Sequence, residues 1–371
     1  MAQLPTVEDV ARAARVSRQT VSNVLNSPGI VKPETRQRVE GAIAELGYRP
    51  HASARRLRTR QSSTIGIRLD PLVNGISGSV LDGFLHALTE QAAERGMRIM
   101  LFTATDPVDE IEQYRRLRDG ADVDAFVVTA TRYEDPRIEW LVAENVPFVA
   151  FGRPWGEDVE SPARAWVDVD GFAGVYDATT HLIGRGLSRI GFLGWPAGSG
   201  TGDERRRGWA TAMVEHFGLG EAELEALTTR LEESVPESRR AMEHLIATGD
   251  LDGMVCVSDS LALGALMAVN EAGRRSFPVI GFDNTPVAEA VGLSSVEQQL
   301  DQVAAATLEL LMSSSGNRVI PHADLPPQDR HRLIAPKLVV RRSSHLAPVQ
   351  EVRTQEPGST TTGNHNREET K

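Results

Sequence analysis

The sequence predicts an N-terminal all-α helix-turn-helix domain joined to an α/β core of two doubly wound lobes. Three observations carry this. Apolar residues in the first 50 positions recur at helical spacing in three short runs. From Ser62 onward, short apolar strand runs alternate with helical runs, the pattern of a parallel sheet with crossover helices. That alternation occurs twice, and a chain of 371 residues is too long for one compact core.

In the head, Val7, Val10, Ala11 and Ala14 form the first run. Val16, Val21, Val24 and Leu25 form the second, and Val39, Ala42, Ile43 and Leu46 the third. Each has a start signal: Thr6 with Asp9 as a capping pair, then Ser17, then Pro33 with Glu34, while Gly47 ends the third. Only Arg15, Val16 and Ser17 separate the first two helices, so these must cross steeply, and the second is free to enter a major groove. Arg18, Gln19, Ser22 and Asn23 fall on the face opposite Val21, Val24 and Leu25. Gln and Asn pair bidentately with adenine and Arg with guanine. Thr6, Ser17, Thr20, Asn26, Thr35 and Arg36 have the chemistry of phosphate contacts that fix register. A plain three-helix domain with a solvated face would explain the helices. It would not explain the tight turn, these residue types and the basic run behind them together.

Charge divides the same way. Residues 1–60 carry 11 Lys/Arg against 5 Asp/Glu, a net +6, whereas the remainder carries 29 against 46, a net −17. A basic head on an acidic body binds DNA while the body stays off the phosphates. Between them, Pro50 is placed to open a short helix with Ala52, Ala54 and Leu57 on its apolar side and Arg55, Arg56, Arg58 and Arg60 supplying charge. So short a helix is marginal alone, and it is expected to order only with DNA and a partner chain; by itself it reads as a solvated basic linker.

At Thr6-Val-Glu-Asp-Val-Ala, Val16-Ser-Arg-Gln-Thr-Val-Ser-Asn-Val-Leu-Asn26, Thr35-Arg-Gln-Arg-Val and Glu45-Leu-Gly-Tyr-Arg-Pro50 the sequence resembles the LacI/GalR transcriptional regulators. The resemblance is dense through residue 60 and continues more weakly to about residue 343. It implies a homodimer on near-palindromic double-stranded DNA and a periplasmic-binding-protein-like core that takes a small-molecule effector. It also implies a hinge at Ala54 and Leu57 that folds on the operator, with the Leu wedged into the minor groove. One departure bears on specificity: the family usually has Arg where this chain has Asn23, so its base preference is expected to differ from that of the best-known members.

The core reads, in order, as strands at 64–69, 98–102, 125–129 and 147–151, with a helix at 79–95 and further helical stretches between them. A second series follows, with strands at 189–194, 253–257 and 278–282 and helices near 172–183, 204–217, 239–247, 261–271 and 300–312. The lobes should exchange chain near residues 163 and 293. A polar, proline-containing stretch at 313–332 precedes a last strand at 337–342, and between Gly273 and Phe277 the chain is a few residues shorter than is usual in the family. The domains are therefore drawn at 1–49 for the head, 50–61 for the hinge and 62–345 for the effector-binding and dimerisation core. The polar end, 346–371, reads as a disordered tail.

Ligands of open α/β sheets collect beyond the C-terminal ends of strands. Val279-Ile-Gly-Phe-Asp283 ends in a carboxylate; Val257-Ser258-Asp259 does the same and opens a helix, where Asp259 would serve equally well as an N-cap. Asp70 and Asn74 follow the first strand and should face the cleft from the other lobe. The resemblance adds Gln298 and Arg205, and it implies that Arg205 and Asp283 hold effector hydroxyls or carboxylates; otherwise Arg205 is one more surface charge beside Arg206 and Arg207. Trp155, Trp166 and Trp195 lie near strand ends or crossovers, where flat rings suit pyranose faces as readily as they fill a core. A sugar or oligosaccharide is favoured over a nucleobase. Trp140 and Trp209 fall within helical pattern and read as core.

An enzyme is not expected, nor a catalytic residue, metal or cofactor. Gly191-Phe-Leu-Gly194 leads into Gly198-Ser-Gly200-Thr-Gly202, a possible phosphate loop. It lacks Gly-x-Gly-x-x-Gly spacing, and no Lys-Ser/Thr follows it. No His/Cys metal spacing or Gly-x-Ser-x-Gly elbow occurs, and the single Cys256 sits in an apolar strand. No apolar run reaches membrane-spanning length and no secretory h-region opens the chain, so a cytoplasmic location is expected. A transport-type solute-binding protein would fit the core but not the head. The sequence reads as an effector-controlled repressor of genes for sugar uptake or breakdown.

Overall fold

A computed structural model describes residues 5–26, 28–48, 61–69, 78–156, 159, 161, 163–274, 276–312, 319 and 330–345. Ala54 and Leu57 of the hinge, Asp70, Asn74, most of the polar stretch at 313–332 and the tail at 346–371 lie outside the described residues, as does the side chain of Asn26.

The head forms as its caps dictate. Thr6 Oγ1 accepts the Asp9 backbone N–H at 3.3 Å, and the Asp9 carboxylate takes the Thr6 backbone N–H at 2.9 Å. This reciprocal box starts α1 (Val7–Ala14), and Arg15, left-handed at φ 52°, ends it. Ser17 Oγ accepts the Thr20 backbone N–H at 3.1 Å and starts α2 (Arg18–Asn26). Pro33 opens α3 (Pro33–Leu46), and Gly47 closes it at φ 61°. Val10, Ala14, Val21, Val24, Val39, Ala42 and Tyr48 pack as a small core of their own. Leu25 does not join them: it is 36% exposed, one residue round the helix from Val24 and past the edge of the apolar stripe.

The first lobe contains β1 (Thr64–Arg68), α4 (Gly78–Glu94), β2 (Arg98–Phe102), α5 (Pro107–Asp119), β3 (Ala125–Val128), α6 (Pro136–Ala143), β4 (Phe148–Phe151) and β5 (Trp166–Val169). The second contains α7 (Gly171–Ile183), β6 (Ile190–Gly194), α8 (Gly200–Phe217), α9 (Glu221–Ala226), β7 (Thr228–Arg230) and α10 (Val235–Thr248). It continues through β8 (Gly253–Cys256), α11 (Asp259–Glu271), β9 (Val279–Asp283), α12 (Pro286–Val291) and β10 (Ser294–Glu297). Then α13 (Leu300–Leu311) returns to the first lobe and packs on α4, β4 and β5. β11 (His331–Ile334) completes the first sheet and β12 (Lys337–Val339) the second. The strand orders are β11-β5-β4-β3-β1-β2 and β12-β10-β9-β8-β6-β7, parallel throughout except for β12, which runs antiparallel to β10.

Among the described residues the chain passes between lobes three times, after Val169, after Glu297 and between Ile334 and Lys337. The two crossovers expected near 163 and 293 fall a few residues later because β5 and β10 extend each lobe first. Both strands escape a hydrophobic reading. β5 carries Asp168, and β10 is Ser-Ser-Val-Glu, buried because Ser295 Oγ donates to Asp259 at 2.6 Å and Ser294 Oγ to the Arg341 carbonyl at 3.1 Å. The last strand ends at Val339 rather than 342, since Arg341 turns to donate to the Leu293 carbonyl and to Asn284 Oδ1. One apolar cluster runs through both lobes and contains Cys256 and Trp209, both fully buried, with Trp209 Nε1 donating to the Ile190 carbonyl at 3.1 Å. Trp140 packs at the margin of a second cluster on the other face of the first sheet. Among the described residues no helix is long and apolar enough to cross a membrane.

Candidate functional site

The parallel strands of both sheets point their C-terminal ends at the cleft between the lobes, and antiparallel β12 starts from it. A cavity of about 220 Å³ opens there. Val80, Leu81, Thr129, Ala130, Thr131, Phe151, Gly152, Asp168 and Val169 line it from the first lobe, Thr201 and Arg205 from the second, and Gln298 at the crossover. A larger cavity of about 360 Å³ lies at the opposite, N-terminal ends of β9 and β10, against Phe277, Gly292 and Arg342, and touches none of these residues.

Arg205 is fixed within the second lobe. Its Nη1 donates to the Val257 carbonyl at 2.6 Å and lies 3.7 Å from Asp283 Oδ1. Its guanidinium sits 3.6 Å from the centroid of the Phe282 ring and 5.6 Å from that of Trp195. Burial lowers its pKa, against the pull of Asp283, yet a guanidinium stays charged. Asp283 accepts from Gln298 Nε2 at 2.6 Å. Burial outweighs the nearby Arg205 cation and pushes the Asp283 carboxyl up to about 8. Its backbone is strained: Asp283 and Asn284 lie at φ 113° and 52°, where side chains rarely sit. Asn284 is held there by its N–H to Ser295 Oγ at 2.9 Å and by Arg341 at 2.7 Å.

Arg205, Asp283 and Gln298 thus converge, with Trp195 behind them. Of the expected effector residues Arg205 and Gln298 line the cavity, whereas Asp283, Trp195, Ser258 and Asp259 are not among its lining residues. Ser258 caps α11 by accepting the Leu261 N–H at 3.3 Å and donates to the Glu233 carboxylate at 2.9 Å. Asp259 is fully buried; one oxygen takes Ser295 and the other the N–H and hydroxyl of Thr285, so it braces β10 and the turn after β9. It packs on Gly281, where a Cβ would lie 2.3 Å from its Oδ1. Burial holds its carboxyl at about 6. Trp195 Nε1 donates to Glu233 at 2.6 Å, and Trp166 is buried, stacked on His331 at 4.8 Å.

Sequence reasoning missed Thr129, Arg153, Asp168, Glu204 and Glu233. A carboxylate inside the apolar run Trp166-Val-Asp-Val was a readable signal for Asp168; Thr129 ends an expected strand without a charge to mark it, and the others sit in loops or a helix where charge is ordinary. The glycine-rich entry to α8 is not an anion cradle: the Asp203 carboxylate already accepts the Gly198 N–H at 3.0 Å. Among the described residues no His/Cys/Asp/Glu cluster could hold a metal.

On the head, Ser17, Arg18 and Gln19 are exposed and Thr20, Ser22, Asn23, Thr35 and Arg36 half-buried. Gln19 Nε2 donates to Asn23 Oδ1 at 3.0 Å and Arg18 Nη1 to Glu8 at 2.8 Å, while Arg36 lies 3.7 Å from Glu40. Pairs this exposed are each worth about 0–1 kcal/mol and exchange readily for a stronger partner.

Residues 6–51 match the model of bacterial regulatory proteins of the lacI family, and residues 179–344 that of a periplasmic binding protein-like domain. The HTH-type transcriptional regulator AglR of Rhizobium meliloti (strain 1021) is 32% identical over 352 residues, 92% of this chain and 95% of that protein. The structure of a CelR–cellobiose complex is similar at 28% identity and TM-score 0.63, over 91% of this chain and 99% of that one. The Lac repressor dimer bound to operator and the anti-inducer ONPF shares the fold at TM-score 0.72 and 22% identity, over 93% of this chain and 100% of that one.

Proposed function

The chain belongs to the LacI family of bacterial regulatory proteins, which are DNA-binding transcriptional regulators and not enzymes, and from that premise we propose a homodimeric repressor released from a near-palindromic operator by a sugar or oligosaccharide. The observation that carries the effector site is a pair of orphans. Thr129 Oγ1 and Arg205 Nε are buried polar atoms without a hydrogen-bond partner, and both residues line the cleft cavity, one from each lobe. Buried polar groups are rarely left unpaired, because each costs about 1–3 kcal/mol. A ligand rich in hydroxyls, which both donate and accept, satisfies both and bridges the lobes in doing so.

In this reading Arg205, Asp283 and Gln298 take the polar edge of the effector, and Asp70 and Asn74, outside the described residues, are proposed as further contacts. The CelR structure, which holds cellobiose, favours a carbohydrate. In the head, Arg18, Gln19, Ser22 and Asn23 read bases. Thr6, Ser17, Thr20, Asn26, Thr35 and Arg36 hold phosphates, and the hinge at Ala54 and Leu57 orders on DNA. The divisions 1–49, 50–61, 62–345 and 346–371 follow from these roles.

Two steps test it. The full-length chain is used to select duplexes from a randomised pool, and mono- and oligosaccharides, cellobiose first, are then screened by thermal shift and by release of the selected duplex. A bound sugar at 100 times its Kd stabilises by about 2.7 kcal/mol. A selected pool without twofold symmetry, or a sugar panel that leaves both melting and DNA binding unmoved, sinks the proposal.

A further inference from the structure

We propose that residues 152–156 of the first lobe form a clasp on the N-terminal end of α8, with Arg153 seated on Glu204 and Trp155 on Gly200, that holds the two lobes together. The sequence offers Trp155 as a platform for a sugar ring. In the structure that ring instead covers Gly200 of the opposite lobe so closely that a Cβ there would lie 2.2 Å from the ring's Cγ and Cδ2. The same strap sends Arg153 across the cleft. Its Nη2 donates to Glu204 of the second lobe, while its Nε donates to Asp168 of its own lobe at 2.8 Å. The guanidinium lies 4.7 Å from the centroid of the Trp155 ring, so cation and ring are one unit.

The base of the strap is pinned. Thr131 Oγ1 donates to the Arg153 carbonyl at 2.8 Å, and Gly152, at φ 105°, passes so near that a Cβ would lie 2.6 Å from that oxygen. The charges are sheltered: the side chains of Arg153, Asp168 and Glu204 are 14%, 11% and 5% exposed. Removing one partner of so sheltered a pair strands the other, which separates it from the interchangeable pairs of the surface. Arg207 also lies 3.6 Å from Glu204, but it belongs to the second lobe and cannot tie the two together.

Placement on α8 gives the clasp its consequence. Gly200 and Glu204 are four residues apart and share one face of the helix, toward the strap; Thr201 and Arg205 are four apart on the next face and line the cavity. A ligand drawn to Arg205 and a strap seated on Glu204 therefore act on the same helical turn. Since this deepens the effector reading and rests on it only for its regulatory meaning, its test needs no effector.

Hydrogen–deuterium exchange is compared for the full-length dimer and two variants, Glu204→Gln and Gly200→Ala. Glu204→Gln removes the charge that Arg153 crosses to meet, and Gly200→Ala lifts Trp155 without touching a charge. Both should speed exchange at least threefold in peptides over 150–156, in the lobe that carries no mutation, while peptides over β8 and β9 stay as in the parent. Faster exchange confined to α8, with the strap unchanged in both variants, overturns the clasp. Affinity for the selected duplex, measured on the same proteins, keeps the two readings apart. Under effector release the clasped form is the operator-binding one, so both variants should bind the duplex at least threefold more weakly. Unchanged affinity beside a loosened strap leaves the clasp standing and counts against release as the mechanism.

Discussion

Gln298 Nε2 donates to Asp283 Oδ1 at 2.6 Å, which ties the second crossover to the strained end of β9. A group that binds Asp283 therefore bears directly on a segment joining the lobes. The carboxyl it meets is also a titrating one.

That titration has a sign. Burial raises the Asp283 carboxyl to about 8 and the Asp259 carboxyl to about 6. Above the ordinary carboxylate pKa of about 3.9 the unfolded chain has lost these protons while the native chain keeps them, so stability falls as pH rises. Their contribution is whole below about pH 4, declines through pH 6 as Asp259 ionises, and is gone above pH 8 for Asp283. Melting temperature should drop between about pH 4 and 8, and Asp283→Asn should flatten the upper part of that drop. Parallel curves for parent and variant would show that Asp283 does not titrate there.

Packing makes an independent prediction at Gly208. A Cβ there would lie 2.3 Å from the Phe172 carbonyl oxygen, so α7 and α8 cross backbone against side-chain-free backbone. Gly208→Ala gains about 1 kcal/mol of helix propensity but forces the helices apart, and overpacking costs about 1–3 kcal/mol. Calorimetry should give a lower melting temperature for the core. An unchanged or raised value would mean that the helix pair yields more easily than its spacing implies.

How much of this was legible in the sequence follows from what each residue is made to do. The caps Thr6, Ser17 and Pro33 act through neighbours a few positions away, so they were readable, as were apolar strands such as Gly253–Cys256. β10 was not, because its serines are buried by bonds to Asp259 and Arg341, partners 36 and 47 positions away. In the cleft, Asp283 was legible as a candidate because it ends an apolar strand. Asp259 has the same local signature but is turned inward by Thr285 and Ser295. Thr129 and Arg153 gain meaning only when a second lobe closes over them.

On the head, Gln19→Ala and Arg18→Ala should each cost about 1–3 kcal/mol on the selected duplex and relax preference at one position per half-site. Thr35→Val should instead weaken all duplexes alike, as loss of a phosphate contact does. The excess of six positive charges in residues 1–60, doubled in a dimer, should give a log–log salt slope of several units, each phosphate contact adding about 0.9. Fluorescence anisotropy across salt concentrations measures both. A shallow slope with equal affinity for random DNA would contradict specific recognition.

The sharpest test of the cleft separates stability from response. Thr129→Val replaces a buried hydroxyl that has no hydrogen-bond partner within the chain, so the variant should melt at or above the parent temperature, because nothing bonded is lost. Asp283→Asn keeps the shape of the side chain and its hydrogen bond from Gln298 while replacing the titrating carboxyl with an amide that cannot ionise. Both should hold the selected duplex as the parent does. Against the sugar that releases the parent, however, each should need a higher concentration: about fivefold to tenfold for the neutral hydrogen bond of Thr129, and tenfold or more for the group facing the Arg205 guanidinium. Effector moves the equilibrium only by its difference in affinity between the two lobe arrangements, so losing a contact made in one arrangement must show in this titration. If parent, Thr129→Val and Asp283→Asn all release DNA at one sugar concentration, neither residue is an effector ligand and the cleft assignment fails. If instead the sugar tightens DNA binding in the parent and both variants lose that gain, the cleft assignment stands and the sign of regulation is reversed.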